Sequence, residues 1–237
     1  MTTVQQIRYT DHPERWHALA GALGLTPPYR PTPEWAEFEG DGVLAIHRAT
    51  PDRPAGAVDL HVLAADLDAA AEAVAAFDTA REEMADVGAV LRIAAVDGVA
   101  VTVSAGVRAP RGDLAMQPIW FAHDLDEPRR LLEALGLRAQ IVGDRGGWVD
   151  LAAPGGGAVG LHAVATADMA DAPSIGLSFL AAGDLDALAR RVRAAGFDAA
   201  VIDESYGRTI RIPDPDGGEE IWINGVQDDL YGYDRET

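Results

Sequence analysis

The sequence contains no cysteine and no lysine, and all 19 of its basic residues are arginine. Without cysteine there are no disulfides, thiolate metal sites or cysteine nucleophiles, and without lysine there is no Schiff-base chemistry on a lysine amine. Basic residues are also scarce beside the 38 acidic ones, which gives a formal net charge of −19. Such a surface has no basic stripe that could displace phosphate counterions, so we expect no nucleic-acid partner.

The sequence also lacks a long uninterrupted apolar run. Its longest Ala/Val-rich stretch, 57–77, is broken by Asp59, Asp66, Asp68 and Glu72, which excludes a membrane span. The N-terminal residues show no basic region followed by an apolar run, so no signal peptide is apparent. Hydrophobic residues make up 48% of the chain, enough for packed cores. We therefore expect a cytoplasmic protein, a monomer or homodimer, with no membrane partner.

The last third of the sequence repeats parts of the first half. The segment AVLRIAAVDG at 89–98 returns as RTIRIPDPDG at 208–217, and the segment 35–47 returns at 148–162. A duplicated chain has an approximate twofold relation, so a site in one half should have a counterpart in the other. A functional site can then be sought by comparing equivalent positions of the repeated units and asking which units have polar residues there.

Two domains are predicted, at 1–108 and 113–237, the second including an acidic and aromatic tail at 228–234. Between them lies a segment of proline, glycine and charged residues, which is typical of a linker. We expect the tail to cover the mouth of a pocket or to pack across the other domain, and the sequence leaves both open.

Each domain is predicted to contain two units of the order βαβββ. Aspartates mark the starts of the helices, with Asp11 capping the first, and glycines mark their ends. Turn residues between apolar runs mark the hairpins. The predicted helices span 12–23, 66–77, 127–135 and 184–195.

This order of elements resembles the vicinal oxygen chelate superfamily, which includes glyoxalase I, extradiol dioxygenases and bleomycin-resistance proteins. The motifs that carry the resemblance are Leu-Gly-Leu at 23–25 and 135–137, which close the first helices, and the turn Asp-Pro-Asp-Gly at 214–217. The resemblance spans Val4 to about Asn224. It implies an α+β fold in which four βαβββ units form two glyoxalase-like domains, with curved mixed sheets around cavities.

The resemblance also implies where a metal would bind. Metal enzymes of this superfamily take His or Gln from first strands and Glu from last strands, so that oxygen and nitrogen donors converge on one divalent ion. Strand alternation places no carboxylate at the glutamate position of any unit, although a shift of two residues would bring in Glu220. The last-strand positions are Ala45, Thr102, Gly160 and Trp222, and the first-strand positions are Val4, Asp59, Gln117 and either Gly176 or Leu177.

Ligands from different units would meet across the twofold relation, and two hybrid sets follow. One combines Asp59, His61, Gln117 and His162, and the other combines Gln6, His47 and Glu220. A metal, if present, is predicted at Asp59, Gln117 and His162. Because the set is incomplete, we expect no cofactor, with a divalent metal as the alternative. His47 and His162 each end a strand, where a half-exposed histidine ordinarily hydrogen-bonds a neighbour or water.

Two classes of function are compatible with these residues. The first is metal-free binding of a small organic ligand in a domain cavity, because aromatic faces and carboxylates suit a planar or cationic guest. The second is a divalent-metal-dependent lyase, isomerase or dioxygenase, in which the ion polarises a carbonyl. A metal-free enzyme with His162 or Glu220 as acid or base is a third, so enzymatic activity stays open. The predicted ligand-binding residues are Asp59, His61, Gln117, Phe121, His162 and Trp222.

Overall fold

The computed structural model describes residues 1–84, 87–164, 173–204, 207–227 and 231–236. Within these ranges the chain folds as helices packed on curved sheets that contain both parallel and antiparallel strand pairs. This arrangement confirms the predicted α+β class.

The first half forms one seven-stranded sheet. Its elements are β1 (Thr2–Thr10), α1 (Pro13–Ala22), β2 (Trp35–Gly40), β3 (Gly42–Arg48), β4 (Val58–Ala64), α2 (Leu67–Ala73), β5 (Thr79–Met84), β6 (Gly88–Val96) and β7 (Val99–Ala105). The strand order is β2-β3-β1-β4-β7-β6-β5, and the two first strands, β1 and β4, run antiparallel side by side. The first unit has only two full strands after its helix. A third is reduced to a bridge between Thr26 and Glu39, because the prolines that follow Thr26 cannot donate ladder hydrogen bonds.

The second half forms two sheets, because both of its first strands are interrupted. Its elements are β8 (Leu114–Met116), β9 (Ile119–Ala122), α3 (Asp126–Ala134), β10 (Arg138–Gly143), β11 (Trp148–Ala152), β12 (Ala158–Ala163), β13 (Ser174–Gly176), β14 (Ser178–Ala181), α4 (Leu185–Ala194), β15 (Ala200–Glu204), β16 (Gly207–Ile212), β17 (Ile221–Gly225) and β18 (Tyr233–Arg235). The sheet orders are β13-β9-β12-β11-β10-β18 and β15-β16-β17-β14-β8. Pro118, which has no amide hydrogen, lies at the break between β8 and β9.

Aspartate caps begin α2 and α4 as predicted. Asp66 accepts hydrogen bonds from two amides of the first turn of α2, and Asp184 does the same for α4. The predicted cap at Asp11 is wrong, because α1 begins after His12. The His12 amide is bound by the Thr10 hydroxyl at 2.8 Å.

The turn at 214–217 joins the two halves. Asp214 accepts a hydrogen bond from Arg8 at 2.6 Å, and Asp216 accepts from the Thr10 hydroxyl at 2.7 Å and from the Trp16 indole at 2.8 Å. The side chains of Arg8, Asp214 and Asp216 are at most 5% exposed. The sequence predicted a tight turn here, and the structure adds that its carboxylates bind the first half.

The C-terminal tail extends a sheet of its own half. Strand β18 pairs antiparallel with β10, and Glu236 beyond it pairs with Arg129 of α3 at 2.9 Å. Part of the predicted tail, 228–230, lies outside the described residues. No helix in the described part of the chain has the length and apolar character needed to cross a membrane.

Candidate functional site

Each sheet has one face covered by helices and an opposite face, called the open face below. On β4, Leu60 and Val62 belong to the core beneath the helices, so the alternating residues Asp59 and His61 point to the open face. This alternation agrees with the side-chain contacts described below.

Strand registers relate the two halves residue by residue. Arg92 pairs with Thr102 across β6 and β7, and Arg211 pairs with Trp222 across β16 and β17. Arg92 and Arg211, which are aligned in the sequence repeat, therefore occupy matching strand positions. The equivalent open-face positions are Gln5 and Gln117, Tyr9 and Phe121, Trp35 and Trp148, Glu37 and Asp150, Ala45 and Gly160, His47 and His162, Asp59 and Gly176, Met84 and Glu204, Arg92 and Arg211, Ala100 and Glu220, and Thr102 and Trp222.

A glutamine–carboxylate pair occurs once in each half. The amide of Gln5 donates to Glu37 at 3.0 Å, and the amide of Gln117 donates to Asp150 at 3.0 Å. The first-strand position of the first unit is thus Gln5, one residue after the predicted Val4, because α1 starts later than expected. Burial raises the pKa of Asp150 to about 6, which the hydrogen bond from Gln117 only partly opposes.

The two strand-end histidines pack among aromatic rings. The His47 ring lies 5.1 Å from that of Tyr9 and 5.7 Å from that of Trp35, and its Nδ1 lies 2.6 Å from the carbonyl oxygen of Arg48. His162 lies edge-on to the two equivalent rings, at 5.6 and 6.1 Å. Loss of hydration beside them lowers the pKa of His162.

Aromatic rings cover the open face of the second half at two glycines. A Cβ at Gly160 would lie 2.6 Å from the Trp148 ring and 2.7 Å from Ile119, and one at Gly176 would lie 2.9 Å from the Phe121 ring. Both glycines are positions where the family resemblance implies a metal ligand. No side chain larger than hydrogen fits there without moving a ring.

The corresponding place in the fourth unit is also filled. The guanidinium of Arg211 lies 4.1 Å from the centre of the Trp222 ring. The same group pairs with Glu204 at 2.6 Å and with Glu220 at 3.6 Å. Glu220, the alternative candidate for the family's glutamate, is therefore directed to an arginine.

The first half has a carboxylate at one of the equivalent places. Asp59, which corresponds to Gly176, accepts hydrogen bonds on Oδ2 from the Tyr9 hydroxyl at 3.1 Å and from Arg53 Nε at 2.8 Å. No described residue donates to its Oδ1. Burial, together with the negative charge of Asp59, raises the pKa of Tyr9, so the phenol keeps its proton.

His61 lies beside Asp59 on the open face but is held within the sheet. Its Nδ1 lies 2.7 Å from the Thr102 hydroxyl and its Nε2 lies 2.8 Å from the Ser104 hydroxyl. The residue is 7% exposed, and burial lowers its pKa to about 4. A neutral ring with a hydroxyl on each nitrogen donates to one and accepts from the other.

A cavity of about 600 Å³ opens beside Asp59. The loop that precedes β4, the open face of β6 and β7, and the start of β13 form its walls. Its lining residues include Arg53, Asp59, Arg92, Ala100 and Ser174. A second cavity of about 320 Å³ lies between the end of α1, the segment before β8 and helix α4, with Leu23, Arg111 and Arg191 among its lining residues.

The residues predicted for a metal do not fit one. Asp59 is bound by Tyr9 and Arg53, the Gln117 amide is bound to Asp150, and His162 packs against aromatic rings. In the described ranges no three His, Asp or Glu side chains converge as a metal site would require.

The second hybrid set is not brought together. Gln6 is fully buried on the helix-covered face of β1, with its amide 3.4 Å from the sulfur of Met116. His47 lies on the open face, and Glu220 lies in the other half beside Arg211.

Sequence reasoning missed two side chains that line the larger cavity, Arg53 and Arg92, and a third, Tyr9, that binds Asp59 at its wall. Tyr9, Arg53 and Arg92 were not predicted as site residues, although Asp59 was. The signal for Arg92 was present, because it and Arg211 are aligned in the repeat. Only the strand registers show that the positions equivalent to Glu204 and Glu220, the partners of Arg211, hold no acidic residue beside Arg92.

Solved structures of the same fold match nearly the whole chain. A catechol 2,3-dioxygenase gives a TM-score of 0.64 at 15% identity, covering 99% of this chain and 94% of its own. The 2,3-dioxygenase LapB from Pseudomonas sp. KL28 gives 0.62 at 15% identity, covering 97% and 92%. The Mn(II)-bound glyoxalase from Novosphingobium aromaticivorans gives 0.61 at 16% identity, covering 95% and 81%.

Comparison with protein-family models gives no match, and comparison with curated proteins gives none. At the identities of the solved structures, the likeness shows the fold alone. It confirms the resemblance in fold to the glyoxalases and extradiol dioxygenases of the vicinal oxygen chelate superfamily.

Proposed function

We propose that this chain, which has the fold of these dioxygenases and this glyoxalase, binds a small organic ligand without a metal. The binding place is the cavity of about 600 Å³ beside Asp59. A volume of this size suits a small organic molecule held by a few polar groups.

The observation that carries this proposal is the contrast between the halves. Where the second half has Gly160 and Gly176 beneath aromatic rings, the first has Ala45 and Asp59. A carboxylate oriented by two donors, at the wall of a cavity, is a group that fixes the orientation of a ligand. The second half has packed aromatic rings at the same place. The two copies have therefore diverged, and the first half is the copy with a carboxylate there.

A second candidate is a divalent-metal-dependent lyase, isomerase or dioxygenase. The solved structures that share the fold favour it, because they include a Mn(II)-bound glyoxalase and a catechol 2,3-dioxygenase. It requires donors that converge on an ion, and the side chains of Asp59, Gln117 and His162 are each directed to other partners. We therefore place it second.

The test begins with protein purified without a histidine tag. Metal content is measured, and thermal melts are recorded with zinc, nickel, manganese and iron(II). The melts are then repeated in EDTA with a panel of small organic acids, amides, amines and aromatic cations. We expect no stoichiometric metal and a higher melting temperature with some panel members, because a ligand at about a hundred times its Kd stabilises the fold by about 2.7 kcal/mol.

A variant that fills the cavity localises the binding. Ala100→Phe places a ring in the cavity and should abolish the ligand-induced rise. Ala200→Phe is the matched control, because Ala200 is exposed on a strand of the other half and does not line the cavity. A stoichiometric ion, or a metal-induced rise that is lost in His162→Ala, would favour the metal enzyme instead.

A further inference from the structure

One arginine of the repeat has charged partners in the second half, whereas its equivalent in the first half has none among the described residues. Arg211 is neutralised by Glu204 and Glu220 and stacks on Trp222. Its equivalent, Arg92, forms no ion pair and no side-chain hydrogen bond with the described residues. The same guanidinium is thus satisfied in one copy and left available in the other.

The registers show why Arg92 has no charged partner in the described part of the chain. The positions equivalent to Glu204, Glu220 and Trp222 are Met84, Ala100 and Thr102. Neither acidic residue has a counterpart. Where the second half has Glu220, the first half has Ala100, whose small side chain leaves the space beside Arg92 unfilled. Ala100 and Arg92 both line the cavity. The groups that neutralise Arg211 are therefore replaced by open volume next to Arg92.

Arg92 and Asp59 face the same cavity from positions that a small ligand can bridge. Arg92 is two strands from β4 through Thr102 and His61, and Asp59 is one open-face step further along. With strands about 4.8 Å apart and a two-residue step of about 6.8 Å, the two Cα atoms lie roughly 12 Å apart. Both residues line the cavity, so a small ligand bound there can reach both side chains.

We propose that the ligand of this cavity is a small organic acid that also carries a hydroxyl or amino group. Arg92 pairs with the carboxylate, for which the guanidinium fork is well suited. Asp59 accepts a hydrogen bond from the hydroxyl or amine on Oδ1, the oxygen that Tyr9 and Arg53 leave free. This inference rests on the proposed function and names the chemical class of its ligand.

Because the net charge of the chain is negative, an anionic ligand depends on the arginines of the cavity for attraction. At −19 the protein as a whole repels anions. Of the charged groups lining the cavity, Asp52, Arg53, Asp59 and Arg92, Arg53 and Asp59 pair with each other at 2.8 Å. Among the described lining residues, Arg92 is the cation that a ligand carboxylate can pair with.

The experiment compares hydroxy acids with their own amides by calorimetric titration of the full chain in EDTA. The probes are mandelate, 3-phenyllactate and 4-hydroxybenzoate, each against its primary amide, which keeps the shape and loses the charge. We expect the acids to bind at least about tenfold more tightly than the amides. Arg92→Gln should remove that preference by weakening the acids about tenfold and leaving the amides unchanged. Arg138→Gln is the matched control, since Arg138 is an exposed strand arginine with no ion pair among the described residues.

Each outcome has a distinct meaning. Amides that bind as tightly as the acids, or acids that bind Arg92→Gln as tightly as the unaltered chain, would overturn the inference and leave the proposed function standing. Methoxy analogues of the acids should bind more weakly than the hydroxy acids, and equal binding would contradict the role of Asp59. If no acid, amide or aromatic cation binds the unaltered chain, the proposed function itself fails.

Discussion

Gln117 donates a 3.0 Å hydrogen bond to Asp150, a carboxylate that is 8% exposed. Gln117 lies at the first-strand position where the family resemblance implies a metal ligand. Its amide is instead part of a pair that recurs as Gln5 and Glu37 in the first half. Duplication of the pair indicates that it belongs to the shared fold and not to a site special to one half.

The stability of the Asp150→Asn variant, relative to that of the unaltered chain, should increase as the pH rises. The folded-state pKa of about 6 lies above the unfolded value, so the folded chain holds a proton that the unfolded chain has released. Stability from this group is therefore present at pH 4 and lost as pH rises to 6. We expect the variant to gain up to about 1.4 kcal/mol per pH unit across that window, measured by urea unfolding. A difference that does not change with pH would contradict the burial of an ionisable Asp150.

Substitution of His61 by Gln should have the opposite dependence on pH. Its folded-state pKa of about 4 lies below the unfolded value, so the unfolded chain takes up a proton between pH 6.5 and pH 4 that the folded chain does not. The unaltered protein loses stability as pH falls through this window, and the variant does not. We expect the variant to gain up to about 1.4 kcal/mol per pH unit on acidification, in addition to a constant loss from the bonds to Thr102 and Ser104. A variant that loses stability on acidification as the unaltered chain does would show that His61 is not buried.

Substitution of Asp216 by Ala should weaken the junction between the halves. The carboxylate is 3% exposed and accepts hydrogen bonds from Thr10, Asp11 and Trp16. Burial alone would raise its pKa, but these hydrogen bonds together lower it, which indicates that the charged form is the bound one. Removing one partner of a buried charge cluster typically costs about 3–5 kcal/mol.

The measurement is the thermal unfolding profile, in which we also expect the single transition to broaden or divide. Asp203→Ala is the control, because that side chain is 90% exposed and pairs with Arg208 only at 3.4 Å. Equal effects of the two substitutions would rule out the junction as a major source of stability.

Substitution of Gly160 by Ala should destabilise the second half by overpacking. The added methyl group would lie 2.6 Å from the Trp148 ring, and forced repacking in a dense core costs about 1–3 kcal/mol. The double variant Gly160→Ala with Trp148→Leu should recover part of this loss, because the smaller side chain leaves room for the methyl group. A full additive loss in the double variant would show that the ring does not rest on Gly160.

Much of the fold followed from the sequence because periodicity, caps and turns are local signals. The starts of α2 and α4 at Asp66 and Asp184 are examples. The junction at Asp214 and Asp216 could not be predicted, because its partners, Arg8 and Trp16, lie about two hundred residues away in the chain. A turn motif specifies the turn but not what its carboxylates will contact.

The candidate site was predicted less completely than the fold. Asp59 was selected by counting back seven residues from the aspartate that opens α2, and in the structure it lies on the open face of β4. One sequence does not specify how strands pair across a sheet. The hydrogen bond from Gln117 to Asp150 and the position of the Trp148 ring over Gly160 both depend on that pairing. The same limit concealed Arg92, whose significance appears only when its neighbours are compared with those of Arg211.

The cavity beside Asp59 and Arg92 is proposed to bind a small ligand without metal. The most direct measurement is a map of backbone amide NMR shifts of isotope-labelled, metal-free protein titrated with the tightest binder from the acid and amide panel. We expect the largest shifts in 53–59, 92–100 and 173–175, the segments that line the cavity. Largest shifts in 117–121 and 148–162, or a titration that responds only after a divalent metal is added, would contradict it.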